Sequence, residues 1–378
     1  MLKPEFISLL EESVGKEYAK ITLEALEKEP STSIRLNPSK IRECPFEGAE
    51  RIPWSPYGYL LKERPVFTLD PLFHAGAYYV QESSAMMVGE LFRRVTEGLD
   101  GHLNVLDLCA APGGKTTDIA ASLRERNKDN FTLIANEPVK NRYSILKGNV
   151  ETWGDKRVSV VSRDPSAFGS EPVFDVIVTD VPCSGEGMFR KDPRAVEEWT
   201  PELPTFCAAR SRRILADIWP TLRGGGILIY STCTFNHLEN DDTVSWIANE
   251  LGADIIGPEE LPPSVRTKNG FLMLPGLVPG EGQYAAAVRK RGDDSGARFP
   301  FKAAFDRERE EDTEGPMVNV DRATALKYLH GDAIKLPEDA PRGPVTIAFQ
   351  GLPLGPAKNL GSRCNNLYPK GKRIRMDV

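Results

Sequence analysis

The chain has 378 residues, of which 40% are apolar and 27% are charged. This composition is typical of two or three globular domains with a sizeable core, and it excludes a disordered chain, a collagen-like repeat and a coiled coil. With 48 basic and 54 acidic residues the net charge is −6, so a nucleic acid would have to bind a local basic patch rather than the protein as a whole.

The sequence has no segment suited to a membrane. No run approaches the 18 or more consecutive apolar residues of a membrane span. Glu5, Glu11 and Glu12 lie where a secretory signal needs positive charge followed by an unbroken apolar run. We therefore expect a cytosolic protein with no membrane partner, and we expect it to be a monomer.

The first 99 residues have the pattern of a small α+β domain. Apolar residues recur at helical spacing over 5–28, with a break near Gly15, and residues 33–36 alternate like a strand. A stretch rich in proline and aromatic residues runs from 52 to 73. The pattern predicts the elements of this domain but not its role.

Residues 100–291 show short apolar runs alternating with longer amphipathic segments. This alternation predicts a parallel sheet covered by helices on both faces, that is, a doubly wound α/β domain. A later run near residue 285 is suited to an antiparallel last strand. The predicted strands are LNVLDL, FTLIAN, RVSVV, VFDVIVTD, GGGILIYSTC, ADII and QYAAAV, and the predicted helices lie near 115–126, 138–150, 202–222 and 239–251.

A charged segment and a basic C-terminal domain complete the chain. Residues 292–315 are poor in apolar side chains and are predicted to be a solvated linker. A further domain is predicted over 316–378. Its last 23 residues hold six basic side chains against one acidic, which makes this region the best candidate for binding a polyanion. The basic residues are Lys358, Arg363, Lys370, Lys372, Arg373 and Arg375.

The first predicted strand of the central domain leads through CAAPGGKTT into a helix. Ligands of open α/β sheets bind at such turns, where Gly113 and Gly114 allow the backbone to approach a ligand closely. The string GGKTT also suggests a phosphate-binding P-loop. That motif requires glycine where this chain has Cys109, and Pro112 removes a backbone donor, so we do not expect a nucleotide triphosphatase.

Three acidic residues follow successive strands of the same predicted sheet. Glu137 lies some twenty residues beyond the glycine turn, where an acidic side chain can accept both ribose hydroxyls of an adenosine-containing cofactor. Asp164 follows the third strand and Asp180 ends the fourth. Together with the turn, they predict a cofactor cleft at the carboxyl edge of the sheet.

Two of the six cysteines also follow neighbouring strands. Cys183 follows the fourth strand and Cys233 the fifth, so both thiols can reach one cavity close to the cofactor. A thiolate there would be a strong nucleophile. No pair has the CxxC spacing of a zinc site, and we expect no metal. The other cysteines are expected to be small buried hydrophobes: Cys44, Cys109, Cys207 and Cys364.

The strings VLDLCAAPGGKTT, NEPVKNR, DVPCSGEGMFRKDP and YSTCTFNHLEN resemble, in order and spacing, the motifs of the Sun-type RNA (cytosine-5)-methyltransferases. The resemblance covers residues 75–291. The ending GLPLGPAKNLGSRCNNLYPKGKRIR is similar to the small RNA-binding, PUA-like domain of the bacterial members that modify 16S ribosomal RNA. The resemblance implies a Rossmann-like class I methyltransferase sheet, S-adenosylmethionine as cofactor, RNA as partner and an N-terminal domain that also binds RNA.

The resemblance also assigns roles to residues. Glu137 would hold the ribose, Asp164 would contact the adenine, and Asp180 would face both cofactor and target base. Cys233 would be the nucleophile that adds to carbon 6 of cytosine, and Cys183 would assist product release. The cofactor loop would be formed by Cys109, Ala110, Ala111, Pro112, Gly113, Gly114 and Lys115.

One departure from the family lies in the last strand, where members usually have EGFF and this chain has EGQY over residues 281–284. Beside the Cys183 loop, Phe189 and Trp199 could either stack on RNA bases or be core residues, and the core is the more common place for them. The neighbouring basic residues are expected to contact phosphates: Arg190, Lys191 and Arg194.

Other functions remain open from the sequence alone. A DNA cytosine methyltransferase would use Cys183 as its nucleophile and could dispense with Cys233. A non-catalytic RNA-binding assembly factor would retain the fold without transferring a methyl group. Within the family, transfer RNA is an alternative substrate to ribosomal RNA.

Overall fold

A computed structural model describes residues 2–293 and 315–377. The predicted linker over 292–315 falls almost entirely outside the described residues, and it stays a prediction. Within the described ranges, no helix is both long and apolar enough to cross a membrane.

The N-terminal region combines a helical pair with a small antiparallel sheet. Gly15, at φ 81°, separates the first two helices, as the sequence predicts, because this left-handed conformation is accessible mainly to glycine. The four strands pair in the order β2-β3-β1-β4. The elements are α1 (Pro4–Val14), α2 (Lys16–Leu26), β1 (Thr32–Leu36), β2 (Glu50–Arg51), β3 (Gly58–Leu61), α3 (Pro71–His74), β4 (Tyr78–Val80) and α4 (Met87–Val95).

The central region is the predicted α/β unit. Its elements are β5 (Leu103–Asp107), α5 (Gly114–Asn127), β6 (Phe131–Asn136), α6 (Lys140–Trp153), β7 (Val158–Val161), β8 (Phe174–Asp180), α7 (Pro193–Glu198), α8 (Leu203–Ile218), β9 (Leu222–Thr232), α9 (Asp241–Glu250), β10 (Ala253–Ile256), β11 (Val265–Arg266), β12 (Phe271–Met273) and β13 (Gln283–Lys290). The helix predicted over 202–222 ends at Ile218, because Pro220 lacks the amide that would continue it.

The strands of this region form one nine-stranded sheet. Its main path runs β7-β6-β5-β8-β9-β13-β12-β11, and β10 also pairs with β13. Strands β5 to β9 are parallel to one another, whereas β13 is antiparallel to β9. The predicted antiparallel last strand is therefore confirmed, as is the α/β fold class.

Both faces of the central sheet are buried. Alternate side chains of the parallel strands point to opposite faces, so that Leu106 and Ile134 belong to one core cluster while Val105 and Leu133 belong to the other. Helices α1, α8 and α9 contribute to the first cluster, and α4 and α5 to the second. The continuous apolar runs in the sequence are explained by this double burial.

The C-terminal region has a second four-stranded sheet in the order β14-β15-β16-β17. Tyr328 and Ile347 of this region share a core cluster with Phe67 and Leu72 of the N-terminal region. The elements are β14 (Met317–Asn319), α10 (Arg322–His330), β15 (Gly343–Phe349), β16 (Leu352–Asn359) and β17 (Cys364–Asn366).

Candidate active site

The carboxyl edge of the central sheet carries the residues that the sequence singled out. Strand β5 has β6 on one side and β8 on the other, so the chain changes direction across the sheet at this strand. Open α/β sheets bind their ligands in the crevice that such a reversal leaves. Gly113, at φ 111°, turns the chain into α5 at this point, and a Cβ atom there would lie 3.2 Å from Leu146 Cδ1.

The glycine turn is held in place from three directions. The Arg142 guanidinium donates to the Ala111 carbonyl at 2.9 Å and pairs with Glu137 Oε2 at 3.2 Å. Tyr79 and Asn149 both donate to the Pro112 carbonyl, at 3.1 and 2.8 Å. Glu137 is buried, and its other carboxylate oxygen accepts from the Val139 amide. The turn and Glu137 thus form one connected cradle.

Asn136 joins the ends of three parallel strands. Its side-chain amide donates to the carbonyls of Leu108 and Arg163, and its oxygen accepts from the Arg163 amide at 2.9 Å. Asp164 follows directly and is exposed, with its carboxylate accepting from the amide and hydroxyl of Ser166. These bonds lower the pKa of Asp164, so it is ionised at neutral pH. Asp164 therefore lies near Glu137 at the sheet edge, although its contact with adenine stays a prediction.

Asp180 is the centre of the polar part of the site. Its Oδ2 accepts from Lys115 Nζ at 2.9 Å, and its Oδ1 accepts from Ser231 Oγ at 2.9 Å and Gln283 Nε2 at 3.0 Å. Gln283 is one of the two residues that depart from the family's usual EGFF, so the departure supplies a donor to this carboxylate. Burial lowers the pKa of Lys115, but Asp180 and the nearby Cys233 raise it more, and the net shift is upward.

The two thiols converge as the strand ends predict. Cys183 Sγ and Cys233 Sγ are 3.4 Å apart, and both side chains are partly exposed. The hydrogen bond with Cys233 and burial raise the pKa of Cys183 well above its usual value, so Cys183 is a protonated thiol at neutral pH. Burial also raises the pKa of Cys109, to about 12. Cys207 and Cys364 are buried as expected, whereas Cys44 and Cys109 are partly exposed, so the expectation of full burial is wrong for these two.

The residues present fit an adenosine-containing cofactor. An acidic side chain follows β6, a glycine turn opens α5, and Asp180 at the end of β8 accepts from Lys115 at the start of α5. Below the turn, Asp107 Oδ1 is a buried oxygen with no hydrogen-bond partner among the described residues, while its Oδ2 accepts from Thr116. Within those residues there is also no group of three histidine, cysteine or acidic side chains that could hold a metal ion.

Three of the side chains considered for RNA contact are buried instead. Phe189 and Trp199 pack edge-on against Phe6 of α1, with centroid distances of 4.9 and 5.7 Å, so they are core residues. The expected phosphate contact of Arg190 is wrong, because its guanidinium forms a buried bidentate pair with Glu281 at 2.7 and 2.9 Å. Lys191 and Arg194 remain partly and largely exposed, respectively.

Phe206 of α8 is an aromatic residue that the sequence analysis missed. Its side chain is 63% exposed, and the Arg210 guanidinium lies 5.8 Å from its ring centroid. Arg210 also donates to the carbonyl of Pro182, the residue before Cys183, at 3.0 Å. The helical periodicity of α8 could have indicated this exposure, because Phe206 is out of phase with the buried residues of the helix, which include Cys207 and Ile214.

This fold and this edge define a class: a Rossmann-like methyltransferase with two adjacent thiols at the carboxyl edge of its sheet. Comparison with known proteins agrees. The family model for the 16S rRNA methyltransferase RsmB/F matches residues 98–287. Models for the N-terminal domain and the PUA domain of RsmF match residues 2–83 and 316–374. The chain therefore belongs to the RsmB/F family of 16S rRNA methyltransferases.

Individual relatives show the same resemblance. The chain is 36% identical over 257 residues to ribosomal RNA small subunit methyltransferase F of Pectobacterium carotovorum, covering 64% of this chain and 51% of that protein. It is 36% identical over 284 residues to the protein of the same name from Salmonella paratyphi A, covering 68% and 57%. The chain thus spans about half the length of the curated relatives it matches.

Solved structures support the fold. The structure of NSun6 from Pyrococcus horikoshii with SFG aligns with a TM-score of 0.61 and 20% identity, covering 77% of this chain and 99% of that one. A methyltransferase homolog protein from Pyrococcus horikoshii aligns with a TM-score of 0.61 and 24% identity, covering 76% and 100%. At these identities the likeness establishes the fold only.

Proposed function

We propose that this protein methylates carbon 5 of a cytidine in 16S ribosomal RNA, with S-adenosylmethionine as methyl donor and Cys233 as covalent nucleophile. The observation that carries the proposal is the pair of thiols 3.4 Å apart, next to an aspartate that is held by Lys115. Family membership supports the RNA substrate, since the relatives are named for ribosomal RNA of the small subunit.

Carbon 5 of cytosine is a poor nucleophile until the conjugation of the ring is broken. In the proposed first step, the Cys233 thiolate forms a bond to carbon 6 and the ring electrons move to carbon 5. The Lys115 ammonium interacts with Cys233 and donates to Asp180 at 2.9 Å, which places a cation beside the proposed nucleophile. Asp180, at the same ammonium, would hold the base edge while charge develops on the ring.

When bound, S-adenosylmethionine supplies an electrophilic methyl group to the activated carbon 5. The chain's own residues must hold that group in line with the ring: the glycine turn, Glu137 and Asp164 are the proposed binding residues. Afterwards a base takes the proton from carbon 5, the electrons of that C–H bond re-form the double bond between carbons 5 and 6, and the bond between carbon 6 and sulfur breaks. The aromatic ring and the Cys233 thiolate are thereby restored. Cys183, in contact with Cys233, would assist this second half.

We assign Cys233 as the first nucleophile from the motifs DVPCSGEGMFRKDP and YSTCTFNHLEN, in which the chain resembles the Sun-type enzymes. The opposite assignment, with Cys183 attacking first, is the one that a DNA cytosine methyltransferase would need. The two cysteines therefore distinguish the two reactions experimentally.

RNA would approach over the exposed basic side chains and Phe206. A target base must be unstacked to reach a thiol and a methyl donor together, and exposed aromatic rings stabilise splayed bases by stacking. Five of the six basic residues near the C-terminus are exposed, whereas Arg373 is half-buried. The cytosolic location and the monomeric state stay predictions.

The test uses purified protein, S-adenosylmethionine with a labelled methyl group, and 16S ribosomal RNA or transfer RNA. Cys233→Ala should bind the cofactor in calorimetry yet transfer no methyl group. Cys183→Ala should accumulate a protein–RNA adduct that survives a denaturing gel, and Cys44→Ala should behave as the unmodified protein. Full activity in Cys233→Ala would refute the mechanism, and label appearing only in transfer RNA would refute the substrate.

A further inference from the structure

The loops that carry the two thiols are bound to each other through two buried glutamates. Glu186 lies in the Cys183 loop and Glu239 lies just after the Cys233 loop, and their residues are 1% and 0% exposed. Within the described part of the chain neither carboxylate forms an ion pair with a basic side chain. Hydrogen bonds are therefore the polar contacts of both carboxyl groups, and burial raises the pKa of Glu239 to about 7.

Each glutamate accepts backbone hydrogen bonds from the loop that carries the other thiol. Glu186 Oε2 accepts from the amides of Phe235 and Asn236, at 2.7 and 3.2 Å, just beyond Cys233. Glu239 Oε2 accepts from the amide of Ser184, the residue after Cys183, at 2.9 Å. Each loop is thus fixed by a carboxylate from the other.

Asn236 connects the two carboxylates. Its side-chain amide donates to Glu186 Oε1 at 2.9 Å and to Glu239 Oε1 at 2.8 Å. The Ser184 hydroxyl donates to the same Glu239 oxygen. The Gly187 amide closes the arrangement by donating to the Cys233 carbonyl at 2.8 Å. We call these residues, Glu186, Ser184, Asn236 and Glu239, the glutamate clamp.

We propose that Glu186 and Glu239 are positioning residues that set the distance between the two thiols. Apolar side chains could pack two loops together without burying two carboxylates, which is costly in a protein interior. What apolar packing does not provide is directional bonding to individual amides next to each sulfur. A displacement of about 1 Å in a reacting group can lower a rate by about 100-fold, so such bonding has a catalytic consequence.

The clamp assigns a separate role to each glutamate. Glu239 fixes the amide that follows Cys183, so its loss should displace the thiol proposed for product release. Glu186 fixes two amides that follow Cys233, so its loss should displace the proposed nucleophile. This division of roles rests on the proposed function, whereas the distance between the thiols does not.

The test substitutes glutamine for each glutamate. Both side-chain oxygens of Glu239 and both of Glu186 accept hydrogen bonds. The NH2 group of a glutamine side chain can only donate, so in either position it would face another donor and break part of the clamp. Ser184→Ala is a milder variant that removes only a hydroxyl. Asp241→Asn is the matched control, because Asp241 also accepts from distant backbone amides, at Lys268 and Asn269, but that loop carries no thiol.

The first measurement needs no RNA. A bifunctional alkylating fluorophore that emits only after two neighbouring thiols have reacted is added to each folded variant, and the rate in Cys183→Ala is subtracted. The fluorophore should bridge the thiols about 10-fold or more slowly in Glu186→Gln and Glu239→Gln than in the unmodified protein. The bridging rate should fall less in Ser184→Ala and should be unchanged in Asp241→Asn. Unchanged bridging in both glutamine variants, or equal slowing in Asp241→Asn, would overturn the proposal.

The second measurement follows the RNA adduct in a single turnover. Glu186→Gln should form the adduct about 10-fold or more slowly, whereas Glu239→Gln should form it and release it slowly, with unchanged affinity for S-adenosylmethionine in both. The reverse pattern would refute the assigned roles. If the unmodified protein transfers no methyl group to RNA, the proposed function fails, while the bridging measurement still decides whether the clamp sets the thiol distance.

Discussion

Replacing Gly187 by alanine tests how closely the two thiol loops must approach. A Cβ atom at this position would lie 2.8 Å from the Cys233 carbonyl oxygen and 2.9 Å from that of Glu281, where ordinary contact begins at 3.4 Å. Both oxygens belong to the backbone, so neither can rotate away as the end of a side chain can. The Cys183 loop must therefore withdraw by about 0.6 Å from the strand end that carries Cys233.

The cost of this displacement can be estimated in two ways. Overpacking of a close-packed site lowers the free energy of unfolding by about 1–3 kcal/mol. Misplacing a reacting group by somewhat less than 1 Å should slow methyl transfer by about 10- to 100-fold. We expect both effects in Gly187→Ala, with the affinity for S-adenosylmethionine unchanged because the glycine turn is untouched.

The assay is single-turnover methyl transfer to RNA, combined with urea unfolding. Gly148→Ala is the matched control, since Gly148 lies within α6 and has no atom within 4 Å of its Cβ position. That substitution should stabilise the protein by about 0.5–1 kcal/mol, because alanine favours a helix, and should leave transfer unchanged. A Gly187→Ala protein with unaltered stability and transfer rate would refute the close-approach argument.

Three further substitutions test the site. Burial raises the pKa of Asp107 from 3.8 to about 7, so its contribution to stability is greatest below pH 3.8 and is lost as the pH rises through 7. The melting temperature of the unmodified protein should therefore fall over this pH range, and that of Asp107→Asn should fall less. An equal fall in both proteins would contradict the prediction. Gln283→Leu removes a donor to the Asp180 carboxylate and should slow transfer by about 10-fold or more, measured at saturating cofactor. Phe206→Ala should weaken RNA binding by about 1–3 kcal/mol in fluorescence anisotropy, because the exposed ring is lost. Phe206→Tyr retains the ring and should bind as the unmodified protein does. Equal weakening in the two variants would exclude stacking.

The parts of the fold that could be predicted depend on local patterns. The parallel strands are short apolar runs between turns, and they were found because both faces of β5 and its neighbours are buried. The convergence of Cys183 and Cys233 followed from a general rule about strand ends, which needs only the order of the strands. An antiparallel last strand was also expected near residue 285, and β13 pairs in that direction with β9.

The parts that could not be predicted depend on partners distant in the sequence. Arg190 has the appearance of a surface cation until Glu281, 91 residues later, is placed against it. Phe189 has the appearance of a stacking platform until Phe6 of α1 covers it. In both cases the local sequence gives charge or aromaticity correctly, and only the tertiary contact determines whether the side chain is available to a ligand.

The same dependence on distant contacts applies to the cofactor turn itself. Arg35 of β1 is fully buried and donates to the Gly114 carbonyl at 3.1 Å and to Thr117 Oγ1 at 2.6 Å, while its guanidinium lies 4.7 Å from the centroid of the Trp153 ring. An N-terminal residue therefore fixes the start of α5, where the cofactor is proposed to bind. Because α1 likewise covers Phe189 in the Cys183 loop, the N-terminal region supports both halves of the proposed active site. The methyltransferase sheet supplies the strand ends, but their loops take their positions from residues outside that sheet.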